Sequence, residues 1–189
     1  MISRLLPVVF ACTLAVLLAT GCSSSSSDAS GSYHYTFQES NDTPQDLSAT
    51  LFEALRTDDQ ELWERYCVTA EELRAHQEKR GRRQIDEERM QQTVETIRGN
   101  FTDLRDELRH EEGVHGPERI RVLRAYAPYY SPGDSLQSTN AVDFTYQGHY
   151  LGAVRFREMI LTDRGWVLAE VARYQDDVQS LVPLGLMRR

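Results

Sequence analysis

The segment HYLGAVRFREMILTDRGWVLAEVARY, residues 149–174, decides the fold. Apolar and polar residues alternate along both of its halves, and the run Thr162-Asp163-Arg164-Gly165 between them is typical of a turn. The pattern predicts one strand over 149–162 and a second over 166–174. Ile120–Tyr126 and Ala141–Tyr146 have the same character, so we expect an antiparallel sheet of three to four strands.

The turn leaves two strand registers open. A three-residue loop with a bulge at Gly165 places Glu158 opposite Glu170 on an apolar face. Two facing carboxylates repel each other, so this register predicts a raised pKa for one of them and a general acid or base. A shift by one residue pairs Arg157 with Glu170 instead, as an ordinary cross-strand ion pair. Turn chemistry favours the first register, and charge favours the second.

Helical patterns precede the strands. Thr43 and Pro44 suit the start of a helix, and Thr69-Ala70-Glu71-Glu72 is a capping box. From Gln84 to about Glu111 the apolar residues recur every three or four positions, while Gly99-Asn100 predicts a break with Asn100 capping a second piece. We therefore expect an α+β domain, with three to four N-terminal helices packed on one curved antiparallel sheet.

The first residues predict where the protein is located in the cell. Arg4 and an apolar run from Leu5 to Ala19 form a secretory signal that is too short to span a bilayer. The following Thr20-Gly21-Cys22 resembles the lipobox of bacterial lipoproteins. This resemblance implies cleavage between Gly21 and Cys22 and acylation of Cys22 with fatty chains such as palmitate. The alternative is an ordinary secretory signal with a stray cysteine.

The lipobox divides the chain into four parts. Residues 1–21 form the signal peptide, 22–42 a flexible Ser-rich tether, 43–175 the globular domain and 176–189 a tail. Ser23 stands where an aspartate would retain a lipoprotein at the inner membrane. The resemblance therefore implies the outer membrane, facing the periplasm, in a Gram-negative host, with the membrane as a partner through the anchor on Cys22.

The domain itself carries a second resemblance. Residues 51–59, with Trp63 and Cys67 after them, look like the opening of the nuclear-transport-factor-like superfamily, and so does the turn over 163–166. The resemblance implies helices covered by a cone of strands, as in cystatin-like folds. Members of this superfamily include enzymes and binding modules, so it implies a pocket but no particular reaction.

The composition argues against some classes of binding partner. The chain has 21 Lys and Arg against 29 Asp and Glu, a net charge of −8. Such an acidic balance argues against nucleic acid as a partner, because phosphate neutralisation dominates that affinity. Cys67 is the one cysteine left besides Cys22 after cleavage, and its apolar neighbours predict burial. The basic run Lys79–Arg83 reads as a solvated loop or, alternatively, as a contact with lipid phosphates.

His149 is the remaining catalytic candidate, although a lone histidine at the start of a strand is more often a turn residue than a base. No spacing of His, Cys, Asp and Glu predicts a metal site, and no phosphate loop or nucleophile elbow predicts a cofactor. The sequence therefore favours a non-catalytic module that binds an envelope protein or a small apolar ligand. The alternative is a small pocket enzyme that uses Glu158, Glu170 and His149.

Overall fold

A computed structural model describes residues 37–81, 86–111, 119–147 and 149–175. The predicted signal segment with Gly21 and Cys22, most of the predicted tether and the tail lie outside the described residues. Within the described ranges, no helix is long and apolar enough to cross a bilayer.

Four α-helices come first in the described part of the chain. They are α1 Pro44–Thr57, α2 Gln60–Arg65, α3 Ala70–Lys79 and α4 Glu87–Asp106, which continues as a π-helical turn over Glu107–Glu111. The caps are as predicted: the Thr43 hydroxyl accepts the Asp46 N–H at 3.1 Å, and Thr69 and Glu72 form a capping box. The helices occupy the part of the chain after residue 43, so the expectation of N-terminal helices is corrected.

Seven strands follow within residues 119–147 and 149–175. They are β1 Ile120–Tyr126, β2 Leu136–Gln137, β3 Asn140–Tyr146, β4 His149–Phe156, β5 Met159–Thr162, β6 Gly165–Leu168 and β7 Ala172–Gln175. They form two antiparallel sheets, with strand orders β1-β3-β4-β7 and β2-β5-β6. The α+β prediction is confirmed, but the single sheet of three to four strands is wrong. Each predicted hairpin strand is split, so the hairpin passes from one sheet to the other.

The hairpin uses both predicted registers, one on each side of the split. Near the turn, Ile160 faces Val167, which is the register that charge favoured. Beyond the split, Phe156 faces Ala172, which is the register that turn chemistry favoured. Three residues, 169–171, lie opposite two, 157–158, so one strand carries the extra residue of a β-bulge.

Asn100 supports this bulge from α4. Its side-chain oxygen accepts the Ala172 N–H at 2.6 Å. Helix α4 runs through Gly99 and Asn100 without interruption, so the predicted break at these residues is wrong. The polar residue that suggested a cap instead satisfies a backbone group on the sheet.

The core joins the helices to one face of the four-stranded sheet. Trp63 packs its ring 5.7 Å from Phe101 and 6.4 Å from Phe156, and its indole N–H donates to the Ile97 carbonyl at 3.3 Å. The α4 residues that recur at helical spacing are buried in this core, as predicted: Met90, Val94, Ile97, Phe101 and Leu104.

The described end of the predicted tether is bound to the domain. Asn41 donates its side-chain N–H groups to the carbonyls of Arg164 and Trp166 at 2.7 and 3.0 Å, and its own carbonyl accepts the Trp166 N–H at 3.0 Å. Gly165 lies against it with φ +96°, and an added Cβ would come within 2.6 Å of Asn41 Nδ2. Asn41 therefore clamps the hairpin turn.

Candidate functional site

The two predicted catalytic glutamates do not face each other. Glu170 pairs with Arg157 at 3.0 Å between Oε1 and Nη1, and both side chains are exposed. Glu158 lies beside Ala169, whose N–H donates to the Glu158 carbonyl at 2.8 Å. The register on which the carboxylate pair depended is therefore absent at this position. The Asn41 clamp gives the physical reason, because contacts from outside the hairpin override the preference of the turn itself.

His149 lies at the other end of the hairpin. It begins β4, with its backbone opposite Tyr146. A strand rises about 3.3 Å per residue, so the steps from His149 to Phe156 cover about 23 Å. Glu158 follows Phe156 by two residues. The structure thus does not bring His149 together with Glu158 and Glu170 in one site.

Arginines instead collect on the outer face of the four-stranded sheet. Side chains alternate along a strand, and Val154 and Phe156 point into the core, so Arg155 points outward. Arg173 of β7 lies directly opposite Arg155 across the strand pair. Arg157 follows two positions after Arg155. We call the surface that these three arginines share the arginine groove.

The lining of the groove is polar and carries no carboxylate among the described residues. The groove has a volume of about 510 Å³. Its lining consists of Ser138, Thr139, Asn140, Arg155, Phe156, Arg157, Arg173, Tyr174 and Gln175. Arg155 and Arg173 lie opposite each other on the paired strands β4 and β7 of this lining.

Asn140 adds an unused acceptor to the lining. Its residue is 1% exposed, and its side-chain N–H donates to the Phe156 carbonyl at 3.3 Å. Its side-chain oxygen has no hydrogen-bond donor within the part of the chain that the structure describes. A buried acceptor without a donor is costly to the fold.

An acidic residue on the same sheet is neutralised internally. Asp143, 2% exposed, accepts from Arg124 Nε at 2.6 Å and from the Tyr126 hydroxyl at 3.2 Å. Burial and the Asp143 charge raise the pKa of Tyr126 above its ordinary value.

A second groove of about 500 Å³ lies between α3 and the β5–β6 turn. It is lined by side chains of both signs, among them Glu71, Lys79, Arg80 and Asp163. Lys79 and Arg80 are the described part of the predicted basic run. This mixture does not select a ligand of one charge, so the arginine groove is the better candidate site.

The chemistry that these residues support is binding. An arginine side chain keeps its proton in proteins, so the groove's three guanidinium groups cannot act as general bases. Cys67 is buried, its thiol donates to the Trp63 carbonyl at 3.4 Å, and burial raises its pKa to about 12. Within the described ranges, no three His, Cys, Asp or Glu side chains lie close enough together to hold a metal ion.

The sequence analysis gave Arg157 a role as the ion-pair partner of Glu170. The stronger signal was the distribution of charge. The described helical ranges, 37–81 and 86–111, hold nineteen acidic and nine basic residues, whereas the described strand ranges, 119–147 and 149–175, hold five acidic and seven basic. The net charge of the whole chain hides this separation.

Comparison with protein-family models, with curated proteins and with solved structures finds no significant match.

Proposed function

We propose that this chain is a bacterial lipoprotein that serves as a non-catalytic binding module at the cell envelope. Acylated Cys22 anchors it in the membrane, and the lack of an aspartate at Ser23 favours the outer membrane facing the periplasm. The supporting features are the short positively charged start, the apolar run and Thr20-Gly21-Cys22.

One observation carries the assignment as a binding module: a groove of about 510 Å³ with three arginines and no carboxylate in its described lining. A cavity of this size suits a small molecule or a chain end. The sequence favoured an envelope protein or a small apolar ligand.

The pocket-enzyme alternative has less support. An enzyme would need two or more of Glu158, Glu170 and His149 in one cavity. Neither the arginine groove nor the groove beside α3 is lined by any of them within the described residues.

A nuclear-transport-factor-like cone remains part of the proposal for the fold. Its support is the order of helices before antiparallel strands, with α1 packed on β1 and β3. An experimental structure in which the two sheets close into one continuous cone would support it, and two separate sheets would contradict it.

The anchor is tested in cells. Globomycin, which blocks cleavage of lipoprotein signals, should make an unprocessed precursor accumulate, and mass spectrometry of the mature protein should find an acylated Cys22 at its first residue. The Cys22→Ala form should leave the membrane fraction. An unmodified thiol at Cys22, or a Cys22→Ala form that still fractionates with membranes, would contradict the anchor.

A further inference from the structure

We propose that the second groove, between α3 and the β5–β6 turn, binds a short peptide with free ends and an apolar side chain. This site goes beyond the proposed function, because it depends neither on the anchor at Cys22 nor on the arginine groove. The lining of both signs, which does not select a ligand of one charge, fits a ligand that carries both.

The helical wall of this groove has opposite charges at its two ends. Glu71, Ala75 and Lys79 all line the groove and recur every four residues, so they lie on one face of α3. A helix rises about 1.5 Å per residue, which places Glu71 and Lys79 about 12 Å apart. Arg80 follows Lys79 and also lines the groove. We call Lys79 and Arg80 the basic end.

The opposite wall adds a second carboxylate near Glu71. Arg164 donates to both oxygens of Glu72, so the β5–β6 turn lies against the first turn of α3. Asp163 precedes Arg164 in this turn and lines the groove with an exposed side chain. The dipole of α3 accounts for Glu71 but not for Asp163, which belongs to another element. We call Glu71 and Asp163 the acidic end; the charges of Glu72 and Arg164 cancel each other.

The same groove contains an exposed apolar surface. Leu161 is 42% exposed and lines the groove together with Ala75. Ala75 lies halfway along α3 between the Glu71 and Lys79 positions. A ligand side chain that covers Leu161 removes apolar surface from water, which favours binding.

A short peptide matches the groove in length and in charge. Three residues of extended chain cover about 10 Å, so a tripeptide reaches from the acidic end to the basic end. Its amino group then meets carboxylates, and its carboxylate meets Lys79 and the Arg80 guanidinium, which suits both carboxylate oxygens. A single amino acid carries both charges on one carbon and cannot reach both ends. A groove of about 500 Å³ suits a ligand of this size.

The binding test titrates the mature chain carrying Cys22→Ala with alanyl-leucyl-alanine in a calorimeter. The tripeptide with free ends should bind saturably at one site. Its N-acetylated form and its C-amidated form should each bind about fivefold more weakly, because each loses an ion pair at one end of the groove. Absence of saturable binding, or equal affinity for the peptide blocked at both ends, would overturn the proposal.

Variants of the acidic end test where the peptide's amino group lies. Glu71→Gln combined with Asp163→Asn should lower the affinity for the free tripeptide about fivefold. It should leave the affinity for the N-acetylated form unchanged, because that form has no ammonium group whose interaction could be lost. Equal losses for both forms would indicate only general electrostatic attraction and would overturn the proposal. If the double variant fails to fold, Glu71→Gln alone provides the comparison.

Variants of the basic end make the complementary comparison. Lys79→Gln combined with Arg80→Gln should weaken binding of the N-acetylated form and leave binding of the C-amidated form unchanged. The reverse pattern, or equal losses for both forms, would overturn the proposal.

The matched control is Glu88→Gln combined with Glu95→Gln. It makes the same charge change as the acidic-end variant at two exposed α4 positions outside the described lining. Salt screens charges that do not contact the ligand, so the affinity for the free tripeptide should change by less than about twofold. A loss as large as that of the acidic-end variant would overturn the proposal.

Leu161→Ser tests the apolar contact. It should lower the affinity for alanyl-leucyl-alanine and leave the affinity for trialanine nearly unchanged, because the central side chain of trialanine is a single methyl group. Equal losses for the two peptides would overturn the contact between Leu161 and the ligand.

Discussion

At the scale of single residues, Arg164 ties the hairpin turn to the helices. Its guanidinium donates to both Glu72 carboxylate oxygens at 2.6 and 3.0 Å, to the Cys67 carbonyl at 2.6 Å and to the Arg65 carbonyl. Burial raises the pKa of Glu72, but the bonds from Arg164 and Thr69 outweigh it and lower the pKa from 4.5 to about 2. Glu72 therefore both completes the capping box of α3 and accepts the hydrogen bonds of Arg164.

Glu72→Gln should lower the free energy of unfolding by about 1–3 kcal/mol at pH 7, because it weakens charged hydrogen bonds in a partly buried place. A carboxylate with a lowered pKa stabilises the fold above its ordinary pKa, and that stability is lost as the pH falls toward the folded value. The difference between wild type and Glu72→Gln should therefore shrink between pH 4.5 and 2.

Urea unfolding across this pH range measures that difference. The control is Glu170→Gln, whose exposed ion pair with Arg157 should contribute at most about 1 kcal/mol. A Glu72→Gln deficit that stays constant down to pH 2 would contradict the assigned pKa shift.

Cys67 should be inert in the folded protein. Its thiol is 1% exposed, and burial raises its pKa to about 12, so little thiolate forms at pH 8. In the Cys22→Ala mature chain, a chromogenic disulfide reagent should react with Cys67 only after unfolding in urea. Complete reaction within minutes in the native state would show that the thiol is accessible.

At the scale of elements, the hairpin shows which features the sequence alone could predict. Alternation located both strands and the turn, and it supplied both registers that the structure uses on either side of the bulge. It could not place the bulge, because the contacts that fix it come from elsewhere: Asn41 lies 123 positions before Arg164, and Asn100 lies 72 positions before Ala172. The predicted pairing of Glu158 with Glu170 was wrong for the same reason.

Gly165→Ala should destabilise the domain by about 1–3 kcal/mol, because a side chain at φ +96° is strained and the new Cβ would collide with Asn41. Gly99→Ala is the matched control. It lies inside α4, and an added Cβ there meets nothing within 4 Å, so it should stabilise by about 0.5–1 kcal/mol. Thermal unfolding of both variants gives the comparison, and a neutral Gly165→Ala would refute the clamp at the turn.

At the scale of the whole molecule, charge is segregated between the helical and strand parts of the described chain. The net charge of −8 argued against a polyanion as a binding partner. A net charge does not show how the charged residues are distributed over the faces of a sheet. Sequence could supply the alternation that puts Arg155 and Arg173 on the outer face. The turn-chemistry register also pairs these two residues, but the sequence could not show that this register holds there, because that depends on the position of the bulge.

The most direct test of the central claim, that this chain is a lipid-anchored binding module at the cell envelope, is mass spectrometry of the mature protein purified from membranes. The account predicts a mature chain that begins at Cys22 and carries fatty acyl groups on that residue. An unmodified Cys22 thiol, or a mature chain that begins at another residue, would contradict it.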